Sequence, residues 1–122
     1  MIQGWKILMP DFRPPLQGGS PIFDGTFPVT TAKIECDTGP AICSHGWNFT
    51  KELETGFRIA GFWPTGRPNV AVMVETESAI ERGDKLRTEQ LNLLRFATHD
   101  EIRAAIQRFS VVFGAHQDAM AD

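Results

Sequence analysis

The chain has 122 residues, 42% of them hydrophobic and 22% charged, with a formal net charge of −3. This length suits one domain and is too short for two. Such a domain hides roughly two-thirds of its unfolded surface without needing metals or disulfides, and the composition excludes disorder.

Lys and Arg are scattered among acids, as in Glu81-Arg82-Gly83-Asp84-Lys85. That leaves no basic face for direct nucleic-acid binding, whose affinity comes largely from neutralised phosphates. No stretch approaches the ~20 apolar residues of a membrane helix, and Met1 to Lys6 lacks the charged-then-apolar order of a signal peptide. These readings place the chain in the cytoplasm, with Cys36 and Cys43 as free thiols.

Taken in order, the first predicted element is a strand over Gly4–Leu8, stopped by Pro10. Pro14-Pro15 and Gly18-Gly19-Ser20-Pro21 exclude regular structure until about Phe27. Loops of this length are functional or are packed by their own side chains. Leu16, Ile22, Phe23 and Phe27 favour packing. Val29–Cys36 is rich in β-branched residues and reads as a strand. Asp37-Thr38-Gly39-Pro40 is a turn, and Ala41–Ser44 returns as a short strand. A helix follows, with Thr50 as its cap and Phe49, Leu53, Phe57 and Ala60 on one face. Gly56 weakens it, and Gly61 and Pro64 end it.

Asn69–Thr76 is the strongest strand signal. Val70, Val72 and Val74 share one face, and Ala71 and Met73 the other, so the strand is expected to be central and covered on both sides. Ala79–Glu81 extends it after a break, and Gly83-Asp84 is a turn. Thr88–Phe96 reads as a second long strand, with Leu91 and Leu93 on one face and Leu94 and Phe96 on the other. Thr98 and Glu101 have the spacing of a capping box. The helix they open carries Ile102, Ala105, Ile106, Phe109 and Val112 or Phe113 on one face. Gly114 caps it, and the tail from about 115 to 122 frays. The predicted fold is a single α+β domain over 1–122: a small, mostly antiparallel sheet packed by two helices, with a long N-terminal loop.

The most chemical segment is Cys36-Asp37-Thr38-Gly39-Pro40-Ala41-Ile42-Cys43-Ser44-His45-Gly46-Trp47. A thiolate at Cys43 and an imidazole at His45 have the chemistry of a nucleophile–base pair. Two residues apart on a strand they share a face, but no third group is seen to orient the imidazole. Buried thiols flanking a turn are the simpler reading. Zinc would need Cys36, Cys43 and His45 with His99 or His116, and the closely spaced ligand pairs of structural zinc sites are missing. No metal or other cofactor is therefore expected. A Cys36–Cys43 disulfide would not persist in a reducing compartment. Arg82-Gly83-Asp84 reads as a charged turn, and the acceptor pattern Asn48-Phe49-Thr50 as a helix start.

Trp5, Trp47 and Trp63 each lie near a turn or terminus. Tryptophan serves binding surfaces because it buries much area and keeps a polar handle, although capping the core is the expected role for at least two of the three. The preferred partner-binding site is Phe62, Trp63 and Arg67 in the doubly proline-braced segment Phe62-Trp63-Pro64-Thr65-Gly66-Arg67-Pro68.

Gly4-Trp5-Lys6, the Cys36-x-x-Gly39 turn, a short helix, the Val70–Val74 strand and Gly83-Asp84-Lys85-Leu86-Arg87-Thr88-Glu89 together resemble a family of uncharacterised small domains. Those domains occur in phage and bacterial proteins, sometimes beside pentapeptide repeats. The resemblance spans about residues 4 to 96. Relatives carry a His two residues after the Gly of the turn, where this chain has Ala41; either the His is lost here or His45 replaces it, and the departure weakens any enzymatic carry-over. It implies a phage or mobile-element context. The expectation is a non-enzymatic, protein-binding accessory factor or inhibitor acting on a host protein or protein complex. The alternatives are a small transferase or hydrolase using Cys43 and His45, and a self-associating module, such as a homodimer, that pairs through an exposed sheet edge.

Overall fold

Side-chain alternation along the valine run organises the molecule. In the computed structural model, which describes residues 1–14, 20–34, 46–60 and 69–108, that run pairs on both of its edges. The strands in chain order are β1 (Ile2–Leu8), β2 (Val29–Thr30), β3 (Trp47–Phe49), β4 (Val70–Thr76), β5 (Ile80–Arg82), β6 (Lys85–Thr88) and β7 (Asn92–Phe96). Helix α1 spans Leu53–Ala60. A second helix, α2, is described over residues 99–108.

Four strands form one sheet in the order β1-β4-β7-β2, and three form another in the order β3-β6-β5. Every described pairing is antiparallel. The fold is therefore α+β with antiparallel sheets and two helices, as the sequence predicts. Among the described residues a bridge between Trp5 and Thr50 joins the two sheets, and their amides donate to each other's carbonyls at 2.7 and 2.9 Å.

β4 is central and separates two cores. Leu8, Phe49, Val72, Val74, Leu91 and Leu93 form one, against which Phe12, Ile22, Phe23, Phe27, Trp47 and Leu86 pack. Ile7, Leu53, Phe57, Ala71 and Ala105 form the other, joined by Trp5. The four-stranded sheet thus has β3, β6 and the 20–28 segment against one face and the helices against the other. Val72 and Val74 face the first core and Ala71 the second, as strand alternation requires.

The structure corrects several expectations. Val29–Cys36 is regular strand only at Val29–Thr30. Thr31 and Ile34 follow by donating their amides to the carbonyls of Leu91 and Glu89, while Cys36 and the strand expected at Ala41–Ser44 lie outside the described residues. Thr50 is no helix cap. Its hydroxyl donates to the Glu52 carbonyl, its backbone is held by Trp5, and the helix begins at Leu53. Phe49 belongs to β3 and to the first core, because cross-strand pairing outweighs a coincidental helical spacing. Ala79–Glu81 does not extend β4, since β5 lies in the other sheet.

The predicted strand Thr88–Phe96 is two strands in different sheets. Its last part is also irregular: Val74 faces Leu93 while Val72 faces Phe96, with a register shift between Met73 and Val74. Two residues on β4 thus oppose three on β7, the signature of a bulge. Leu93 and Phe96 end on the same face, contrary to simple alternation.

Two glycines set the spacing between layers. A Cβ on Gly4 would lie 2.4 Å from the Thr50 carbonyl oxygen and 2.6 Å from the Phe49 ring, so β1 meets β3 only because position 4 is bare. A Cβ on Gly56 would lie 2.9 Å from Ile7 Cγ1 and 3.0 Å from Thr50 Oγ1. The residue that weakens α1 intrinsically is the one that lets it sit down on β1.

Candidate functional site

The residues singled out from sequence for partner binding (Phe62, Trp63, Arg67) and for catalysis (Cys43, His45) all lie outside the described residues, as does Cys36. What the fold does define is where the chain leaves and re-enters around them. Leu8 pairs with Val70 at one end of the four-stranded sheet. The chain departs there from β1 into the long loop and re-enters β4 immediately after the 61–68 segment. Phe96 pairs with Val72 near the same end, and the Ala97 amide donates to the Ala71 carbonyl at 2.8 Å. The chain thus leaves the four-stranded sheet after β1 and returns to it at the start of β4 at the same end.

That end carries an aromatic group. Phe12 lies 4.8 Å from Phe23 and 6.0 Å from Phe96, ring centre to ring centre. Phe27 lies 5.1 Å from Phe23 and 4.8 Å from Phe96, the latter edge-on. Such tilted and edge-to-face arrangements are the favoured ones for phenyl rings. Phe96 remains 39% exposed.

The backbone beneath is tightly closed. The Phe12 amide donates to the Met9 carbonyl, the Met9 amide to that of Arg13, and the Ile22 amide to that of Phe12, at 2.8–3.0 Å. Phe12 itself has a φ of 70°, in the left-handed region where a Cβ costs roughly 1–2 kcal/mol. The ring contacts and these three hydrogen bonds hold it there. Around it, Arg13 pairs with Asp11 at 2.5 Å. The Asp24 carboxylate accepts the Thr26 amide at 2.9 Å, which lowers its pKa.

Next to this end, on the helix face, lies an ionic staple. Arg95 meets Glu101 through two hydrogen bonds of 2.6 and 3.0 Å, the forked geometry that guanidinium and carboxylate favour. Its guanidinium also stands 5.8 Å above the Trp5 ring. Glu101 completes the predicted capping box: Thr98 N–H donates to Glu101 Oε1 at 2.9 Å and Glu101 N–H to Thr98 Oγ1 at 3.1 Å. The Arg95 hydrogen bond first, and the Thr98 amide second, pull the Glu101 carboxyl down to about 2. Trp5 and Trp47 are core-edge residues. Trp5 packs with the helix-side core, and Trp47 keeps its indole N–H on the Ala32 carbonyl at 2.8 Å.

The opposite end of the sheet holds a cleft of about 510 Å³ lined by Met1, Lys33, Thr76–Ile80, Arg87–Gln90 and Asn92. Its hydroxyls and amides largely serve one another or the backbone. Thr76 and Thr88 share a hydrogen bond of 2.8 Å, Asn92 accepts from Thr30, and Gln90 donates to the Thr31 carbonyl. Lys33 and Glu89 stand 3.6 Å apart.

Beside the cleft, sequence reasoning missed a buried polar row. Arg87 is fully buried, and Lys6 nearly so. Asn48 pairs directly with Arg87 across β3 and β6, and its carbonyl accepts Lys6 Nζ at 2.7 Å. The Asn48 side-chain nitrogen and oxygen are buried with no hydrogen-bond partner among the described residues. That burial argues against glycosylation of the folded chain at Asn48. The available signal was slight: Lys6 shares its strand face with Leu8, while Arg87 lies in the mostly polar run Lys85–Thr88 and gives no sign of burial.

Arg82-Gly83-Asp84 is the hairpin corner between β5 and β6, and Asp84 pairs with Arg58 at 2.5 Å. Among the described residues no group of three His, Cys, Asp or Glu is placed to hold a metal ion, and no helix is long and apolar enough to cross a membrane. Comparison with family models, with curated proteins and with solved structures returned no match.

Proposed function

We propose that the chain is a non-enzymatic protein-binding factor that engages a host protein or protein complex through the loop end of its four-stranded sheet. One observation carries this reading: Phe12, held at φ 70°, organises a cluster of four phenylalanines whose outermost member, Phe96, is 39% exposed. Strained backbone persists where the surroundings enforce it and gathers at functional positions. Rigid aromatic anchors of this kind dominate protein interfaces. The chain enters β4 at Val70, at this same end, and we include Phe62, Trp63 and Arg67, just before it in sequence, in the proposed surface. The family resemblance favours a phage or mobile-element accessory protein or inhibitor acting in the cytoplasm.

The test is parallel affinity capture from cells of the source with the wild-type chain, the Trp63→Ala/Arg67→Ala double variant and Phe96→Ala. A partner held by the wild type should be weakened about tenfold or more by the variants, as loss of an anchor residue costs upwards of ~1.4 kcal/mol. The double variant should melt within a degree or two of the wild type. Equal affinity for all three chains would remove this surface.

A further inference from the structure

We draw no further inference here: the strongest candidate, the buried polar row of Lys6, Asn48 and Arg87 across β1, β3 and β6 with the cleft beside it, has both of its cations already engaged in interactions and a cleft lining with as many acidic as basic side chains, and nothing in the structure shows what would occupy it.

Discussion

The two faces of the four-stranded sheet are closed by different physics. The face toward β3 and β6 is filled by interlocking aliphatic and phenyl side chains, with Leu8, Val72, Val74, Leu91 and Leu93 wholly removed from solvent. The helix face is closed by close approach. Leu53, Phe57, Ala71 and Ala105 are buried there, Gly56 lies against Ile7, and the Arg95–Glu101 pair fastens α2 to β7. On the first face stability comes from volume, so removing atoms should hurt most. On the second, close approach and ionic contacts, Arg95–Glu101 and Arg108–Glu54 among them, add to the apolar packing, so adding atoms or changing pH should also hurt.

The largest effect separates the two faces directly. Leu93→Ala empties a site with no exposure and should lower unfolding free energy by about 2–5 kcal/mol, the cost of a lost side chain plus its cavity. Urea titration reads this as a lower midpoint at unchanged slope. A loss under about 1 kcal/mol would mean that the interlocked core is loosely packed.

On the helix face the opposite change is informative. Gly56→Ala should gain about 1 kcal/mol from helix propensity alone. The new methyl, however, would meet Ile7 at 2.9 Å and Thr50 at 3.0 Å, and overpacking costs about 1–3 kcal/mol. We expect a net destabilisation of about 1 kcal/mol in the same titration. A more stable variant would show that α1 does not rest on β1 as closely as described.

What the sequence disclosed follows the range of the forces involved. The Val70–Val74 alternation, the Gly83-Asp84 corner and the Thr98–Glu101 box are set by residues within a few positions of one another, and each is found where local chemistry puts it. The break between β6 and β7 is not local. Glu89, Gln90 and Leu91 look like strand, and only pairing of β6 with β3 and of β7 with β4 separates them. Phe49 and Thr50 mimic a helix start because their spacing to Leu53 and Phe57 is helical, while Phe49 is claimed by Leu86, 37 residues later, and Thr50 by Trp5, 45 residues earlier. The aromatic end joins Phe12 to Phe96 across 84 residues, and a high count of phenylalanines alone does not reveal which of them meet. The bulge that turns Phe96 toward Phe12 leaves no mark in composition.

A smaller effect tests the ionic half of the comparison. Glu101→Gln keeps the capping geometry, which Gln also serves, and removes the charge that Arg95 grips. Because the pair is partly exposed, with side chains 43% and 31% accessible, solvent screening limits its worth to about 1 kcal/mol or less. The folded carboxyl titrates at about 2 against 4.5 for an ordinary glutamate. The native state therefore favours the ionised form, and the contribution is complete above about 4.5. It declines as pH falls toward about 2, because the unfolded chain takes up the proton first. Thermal melts of wild type and variant should differ at pH 7 and converge by about pH 2. A difference independent of pH would assign the effect to packing instead of charge.

The smallest effect concerns Asn48, a polar side chain set in the apolar half of the molecule. Asn48 stands between two residues of the first core, Trp47 and Phe49, on the opposite face of β3, with both amide atoms buried and unmatched among the described residues. A buried polar group without a partner costs about 1–3 kcal/mol, whereas an apolar group of the same shape carries no such penalty. Asn48→Leu preserves shape, and the backbone carbonyl that receives Lys6 is untouched. The variant should be as stable as the wild type or up to about 1 kcal/mol more so in chemical unfolding. A loss beyond about 1 kcal/mol would mean that the amide is satisfied by contacts the described residues do not include, and the polar row would then be a cooperative network in which Asn48 is a necessary member.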